Sequence, residues 1–142
     1  MFKRIYLEES IADHPRSQHI LSCFPQAKEI VCERYNEVFN RNNQNFRLQK
    51  RQPALLLAKK KGNLILPTPS GYGIGGVNNY YFSHMLNCVY DCRYCFLQGM
   101  YRSANLVLFV NYEDFAEQIN KIMSDIPSGA YFFSGYDCDS LA

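Results

Sequence analysis

Three cysteines fall within eight residues of one stretch, Asn87-Cys88-Val89-Tyr90-Asp91-Cys92-Arg93-Tyr94-Cys95-Phe96. Their spacing, C-x3-C-x2-C with Tyr94 just before the last, lets three thiolates on one short loop point at a common centre. A metal is the natural occupant. Ligand number divides the candidates. Structural zinc closes with four ligands, usually two Cys pairs, or a Cys pair and a His pair far apart. This loop holds three sulfurs and no second pair nearby, although His84, four residues before Cys88, stands where it can complete a Cys3His set. A four-iron cluster takes one thiolate per iron, so three cysteines leave one iron free to bind something else.

C-x3-C-x-aromatic-C is also the signature of radical S-adenosylmethionine enzymes. The longer run from Tyr80-Tyr81-Phe82-Ser83-His84-Met85-Leu86-Asn87-Cys88 through Cys95-Phe96-Leu97-Gln98-Gly99 resembles spore photoproduct lyase and its relatives. The resemblance implies a [4Fe-4S] cluster on Cys88, Cys92 and Cys95, with S-adenosylmethionine at the open iron. It extends to Ser134-Gly135-Tyr136-Asp137-Cys138-Asp139-Ser140, where Cys138 matches a cysteine that returns a hydrogen atom to the product radical. Ser140 matches a serine that contacts the carboxylate of S-adenosylmethionine. Tyr94 matches the aromatic beside the adenosyl group and a phenol able to join in hydrogen return. The implied reaction starts with one-electron cleavage of S-adenosylmethionine and ends with two thymines restored in DNA that carried a thymine photoproduct. An electron donor such as a flavodoxin or ferredoxin goes with it.

Phe96 departs from that pattern, because the family has a second tyrosine there and phenylalanine has no O–H to donate. Two other readings stay open. One keeps the radical chemistry and changes the substrate. The other is a non-catalytic zinc-binding or nucleic-acid-binding module. Taken alone, Cys138 is a single cysteine near a strand end, Tyr94 a loop aromatic packed by the cluster, and His84 an ordinary loop residue. His14 and His19 have no partners at ligand spacing, and Asp91, Asp137 and Asp139 form no acid/base pair.

The chain has 142 residues, 47% of them hydrophobic, with eleven Tyr, ten Phe and no Trp. A chain of that length buries ~68% of its unfolded surface, so it can build a core. A net charge of +2 calls for neither a polyanionic partner nor a membrane surface. The first nine residues place Lys3 and Arg4 before Glu8 and Glu9 with no apolar core to a leader, and no run reaches ~18 apolar residues. The expectation is a cytoplasmic protein in a reducing compartment, without membrane, whose six cysteines bind metal or pack as thiols.

Periodicity supplies the elements that must position the cysteines. Phe2, Ile5 and Leu7 alternate with charged residues as in a short strand, and Ser17 to Phe24 suits a short helix stopped by Pro25. Helical spacing over Ala27–Asn40 predicts an amphipathic helix, with Cys23 and Cys32 as structural thiols nearby. Ala54–Ala58 and Leu64–Pro67 flank Lys59-Lys60-Lys61-Gly62-Asn63 and predict a β-hairpin with a solvated lysine tip. The glycines of 71–76 do not make a phosphate loop, since they follow prolines, open no helix and lack Lys-Ser/Thr. Val77–Phe82 reads as the strand delivering the cysteine loop, Leu106–Val110 as an apolar run, Tyr112–Asp125 as a helix capped by Asn111, and Ala130–Ser134 as a buried strand.

The expected fold class is α/β: a small α+β amino-terminal layer over 1–76, then over 77–142 the start of a radical-SAM partial β/α barrel with the cluster loop. In such barrels chemistry gathers at the carboxyl ends of the strands. A complete barrel takes ~200 residues or more, so an amino-terminal fragment or truncated product is expected.

Overall fold

The computed structural model describes residues 2–90 and 92–141. In chain order its elements are β1 (Arg4–Glu8), α1 (Pro15–Cys23), β2 (Lys28–Cys32), α2 (Asn36–Phe39), α3 (Phe46–Lys50), β3 (Leu55–Ala58), β4 (Leu66–Pro67), β5 (Asn79–Phe82), β6 (Met85–Leu86), β7 (Leu106–Phe109), α4 (Tyr112–Asp125) and β8 (Tyr131–Ser134). A 3-10 turn over Glu9–Ile11 follows β1.

Four consecutive apolar residues in β3 cannot alternate between a wet and a dry face, so that strand must be covered on both sides. It lies within a five-stranded sheet of order β2-β1-β3-β7-β6, with all four residues buried. β1, β2, β3 and β7 run parallel, and the short β6 runs antiparallel to β7. Alternate side chains divide into two cores. Ile5, Leu7, Leu55, Leu57 and Leu106 face one side, where Ile20, Leu21 and Phe24 cover them. Leu56, Ala58, Val107 and Phe109 face the other, covered by Phe39 of α2 and by Phe115, Ile119 and Ile122 of α4.

A second sheet has the order β4-β5-β8. β5 pairs with β8 in parallel, register Tyr80 to Phe132 and Phe82 to Ser134, and α4 lies on the connection between them. Tyr80, Phe82 and Phe132 join the core beneath α4, with the Phe82 and Phe115 rings 5.8 Å apart. One helix thus closes both sheets. Both sheets take strands from either side of Gly76.

The α/β class, β1, α1, β5, β7, α4 and β8 lie where periodicity puts them, within a few residues. Four expectations are corrected. The predicted helix over Ala27–Asn40 is strand β2 followed by the one-turn α2. Ile30 and Val31 are β-branched, lose side-chain freedom in a helix, and pair instead with the edge of β1. The predicted hairpin does not form, because β3 is claimed by two parallel neighbours while β4 joins the other sheet. Asn111 does not cap α4 through its side chain; buried, it bonds the backbone of Lys60 in both directions, at 2.9 Å each, and reaches the Asp114 carboxylate at 2.8 Å. β8 is not buried. It pairs only with β5 among the described strands, and Tyr131 is 46% exposed.

Leu56, in the middle of β3, is fully buried, whereas Val31 in β2 is 54% exposed. Leu56→Ala is expected to cost about 2–5 kcal/mol by urea unfolding. Val31→Ala should stay within roughly 0.5 kcal/mol of the parent.

Candidate active site

The cysteine loop is fastened at its root by amides. Asn87 adopts the left-handed conformation, φ +61°, and its side-chain amide donates to the carbonyls of Ser103 and Asn105 at 2.8 and 2.7 Å. Asn105 in turn accepts from the Ala54 N–H at 2.9 Å, and Gln49 accepts from the Ala104 N–H at 2.9 Å. Cys88 therefore starts from a point tied to the entrances of β3 and β7. Beyond it the chain turns tightly: the Cys95 N–H donates to the Cys92 carbonyl at 3.0 Å, and the Gln98 side chain donates to the same oxygen at 2.7 Å. Asp91 lies outside the described residues.

Cys88, Cys92 and Cys95 are all free and half-buried. Cys88 and Cys95 line a cavity of about 260 Å³ with Lys50, Leu97 and Asp137, and Cys92 is not on its wall. Among the described residues no three His, Cys, Asp or Glu side chains are drawn close enough to hold one ion. The donor set itself suits an iron–sulfur cluster: three soft thiols on one short loop beside a cavity. Among the described residues neither the three cysteines nor the set with His84 is gathered around one point. β6 is extended and separates His84, whose carbonyl accepts from Phe109 at one end of β7, from Cys88, whose neighbour Asn87 is bonded at the other end. His84 instead meets Tyr112 edge-on, centroids 6.1 Å apart, and burial with the nearby Lys60 charge lowers its pKa.

Cys138 occupies the loop leaving β8, 6% exposed. Its N–H donates to the Gly135 carbonyl at 3.2 Å, so the loop folds back on itself. Gly135 has φ +73°, and a Cβ there would lie 2.7 Å from the Ser140 nitrogen and 2.8 Å from the Cys138 carbonyl. No other residue fits without movement. Ser83, buried at the exit of β5, joins the two strand ends: its hydroxyl donates to the Met85 carbonyl at 2.8 Å and accepts from the Asp137 N–H at 3.2 Å. Burial, the largest cause, together with Cys88 and Asp137 pushes the Cys138 thiol up to about 11, against hydrogen bonding with Ser83 and the Met85 backbone that lowers it. At neutral pH the group is S–H and lies within electrostatic range of Cys88.

Two residues near the Cys138 loop were not singled out by the cysteine pattern. Lys60 is half-buried instead of a solvated tip; its ammonium donates to the Ser83 carbonyl at 2.9 Å and sits 5.2 Å from the Phe109 ring centre. Burial lowers its pKa, while Asp137 and Cys138 act the other way. Tyr101 packs on Phe39, and burial together with the charge of Asp137 and a hydrogen bond to it raises its pKa. Neither has a motif around it; both are found by packing. Tyr94 and Phe96 are 91% and 90% exposed on the cysteine loop, and Ser140 is exposed two residues after Cys138. The two thiols expected to be structural differ: Cys32 is half-buried and pushed up to about 11 by burial and Glu8, whereas Cys23 is exposed.

A loop of three thiols and a buried thiol within electrostatic range of Cys88 lie on an α/β fold with a mainly parallel sheet, and solved structures give that fold class a closer likeness. No protein-family model and no curated protein matches the sequence. The fold is that of spore photoproduct lyase. The chain matches a doubly substituted form of that lyase with bound AdoMet and dinucleoside spore photoproduct at TM-score 0.76 and 19% identity, over 98% of this chain and 41% of that one. It matches the lyase complexed with dinucleoside spore photoproduct at TM-score 0.75 and 19% identity, with the same coverage. A tyrosine-to-phenylalanine variant of the lyase gives TM-score 0.74 and 20% identity, again over 98% and 41%. The chain thus spans about 41% of the length of the structures it matches. Among the described residues no helix is long and apolar enough to cross a membrane.

Alkylation requires thiolate, so Cys138 should react with iodoacetamide about tenfold faster per pH unit up to about 11. Peptide mass spectrometry checks it. A midpoint in the ordinary thiol range would contradict the burial argument. Gly135→Ala should abolish this protection and cost at least about 1 kcal/mol, since both the φ and the close backbone approach are lost.

Proposed function

We propose that the chain is the cluster-bearing part of a radical S-adenosylmethionine lyase that reverses thymine photoproducts in DNA. The observation that carries it is Cys138, a buried and neutral thiol within electrostatic range of Cys88 on a loop of three half-buried cysteines. The likeness to spore photoproduct lyase, in structures with AdoMet and with dinucleoside spore photoproduct bound, supports the same reading. Residues 77–142 carry the site and 1–76 the supporting layer. A cytoplasmic location and a flavodoxin or ferredoxin as electron donor belong to the proposal.

Cys88, Cys92 and Cys95 would hold a [4Fe-4S] cluster. When bound, that cluster supplies the electron that cleaves the sulfonium of S-adenosylmethionine and so provides a carbon radical. The chain's own residues do the rest. Asn87 fixes where the loop begins, through its bonds to Ser103 and Asn105. Ser83 and Gly135 hold the Cys138 loop, and the Cys138 sulfur keeps a hydrogen that it can give to a product radical. Tyr94 and Ser140, both exposed, are available to the adenosyl group and the carboxylate. The lesion must leave the duplex, at a cost of a few kcal/mol that damage reduces. Phe96 favours a second reading, the same chemistry on another substrate, because it offers no O–H.

Anaerobic addition of iron and sulfide should give a brown protein with about four irons. Cys88→Ala, Cys92→Ala and Cys95→Ala should each lose it. Stoichiometric zinc without iron would support the zinc module instead. With a reductant, S-adenosylmethionine and ultraviolet-damaged DNA, a reconstituted full-length version is expected to release 5′-deoxyadenosine and restore thymine. Nucleoside without thymine repair points to the other substrate; no nucleoside refutes the enzyme. Cys138→Ala should still release nucleoside but misdirect the product.

A further inference from the structure

The five-stranded sheet has a feature that the cysteine chemistry does not use. Its parallel strands follow the order β2-β1-β3-β7, so the winding reverses between β1 and β3. In open parallel sheets the loops leaving the strands on either side of such a reversal part to opposite faces, and a crevice opens at the carboxyl ends. Here that crevice is a pocket of about 310 Å³. Its wall includes Glu8 from the end of β1, Arg34 and Tyr35 from the loop after β2, and Lys59, Lys60 and Lys61 from the loop after β3.

Four cations around so small a space repel one another, and the repulsion grows as water is excluded. Internal groups offset part of it. Lys59 lies 3.5 Å from Asp114, and Lys60 donates to the Ser83 carbonyl at 2.9 Å. Arg34 and Lys61 are exposed at the mouth. An anion entering the pocket meets all four. Glu8 makes the pocket more selective. It is 2% exposed, and its carboxylate accepts from the Ser10 hydroxyl at 2.7 Å and from the Tyr35 N–H at 3.4 Å. Carboxylate oxygens have further lone pairs that suit hydroxyl donors. Tyr35, half-buried, adds an aromatic surface on the same wall.

We propose that this pocket binds a nucleoside monophosphate, with the phosphate on Arg34 and Lys61 at the mouth and the ribose hydroxyls toward Glu8. The combination of cations, a buried acceptor and an aromatic wall fits such a ligand better than inorganic phosphate. Its concavity fits a terminal phosphate better than the continuous backbone of a nucleic acid. None of the three loop cysteines lines this pocket, although Leu86 and Lys60 on its wall adjoin the cysteine loop and Cys138, and the proposal does not require the radical chemistry.

Titration of the whole chain with AMP, followed by amide shifts in NMR, tests it. Shifts at Tyr35 and Lys59–Lys61 with a Kd at or below about 1 mM are expected, with adenosine and inorganic phosphate each at least about tenfold weaker. The double variant Arg34→Gln with Lys61→Gln should weaken AMP at least about tenfold, with an unchanged circular dichroism spectrum. Both substitutions are on exposed residues, so folding is not at stake. Absence of those shifts overturns the proposal, as does full affinity in the double variant. A hydroxyl-ended oligonucleotide that shifts the same amides as strongly as AMP also overturns it, in favour of a nucleic-acid surface.

Discussion

Two-sided burial of β3 is the constraint on which the remainder of the structure depends. Leu55 and Leu57 fill one core while Leu56 and Ala58 fill the other, so the strand needs parallel partners on both edges and a layer on both faces. Each side chain moved from water contributes on the order of 1.5–3 kcal/mol, enough to override local preferences elsewhere. β1 and β7 are drawn in as those partners. Parallel alignment then brings the exits of β1, β2, β3 and β7 to one edge, which is why Glu8, Arg34 and Lys59–Lys61 meet there.

The sites themselves are held by polar groups placed where the apolar layers end. Buried amides and hydroxyls are costly unless bonded. Asn87, Asn105, Asn111 and Ser83 each bond backbone from a different segment. These bonds cross long stretches of chain. Asn87 ties the cysteine loop to the entrance of β7, and Ser83 ties the exit of β5 to the loop after β8. Packing determines which strands are neighbours, and these amides and hydroxyls determine where the loops between them begin.

That division explains what could be read from the residues alone. α4 was legible in full, because Phe115, Ile119 and Ile122 recur on one face over fourteen residues with acids in the first turn. The α/β class and the short strands β1, β5 and β7 were legible from alternation and apolar runs. The cysteine loop stood out by its spacing, whereas Cys138 was singled out only by the family resemblance. What failed depended on distant partners. Ile30 and Val31 fit helical spacing until β1 offers an edge, and the run of β3 looks like half a hairpin until two strands enclose it. Asn111 has the right type for a cap but is consumed by Lys60 from a loop some fifty residues earlier in the chain. Lys60 and Tyr101 carry no pattern; their surroundings come from the tertiary fold.

Lys60 and Cys138 also show which electrostatic effect wins at the strand ends. An ammonium close to a thiol would ordinarily favour thiolate, as at reactive cysteines. Here desolvation is the largest influence on both groups and acts against both charges. Lys60 spreads its charge over the Ser83 carbonyl and the faces of Phe109 and Phe115, at 5.2 and 5.9 Å from the ring centres. Those contacts answer the ammonium without needing an anion at sulfur. Asp137, adjacent in the chain to Cys138, further disfavours thiolate. The sulfur is therefore kept as S–H, a poor nucleophile.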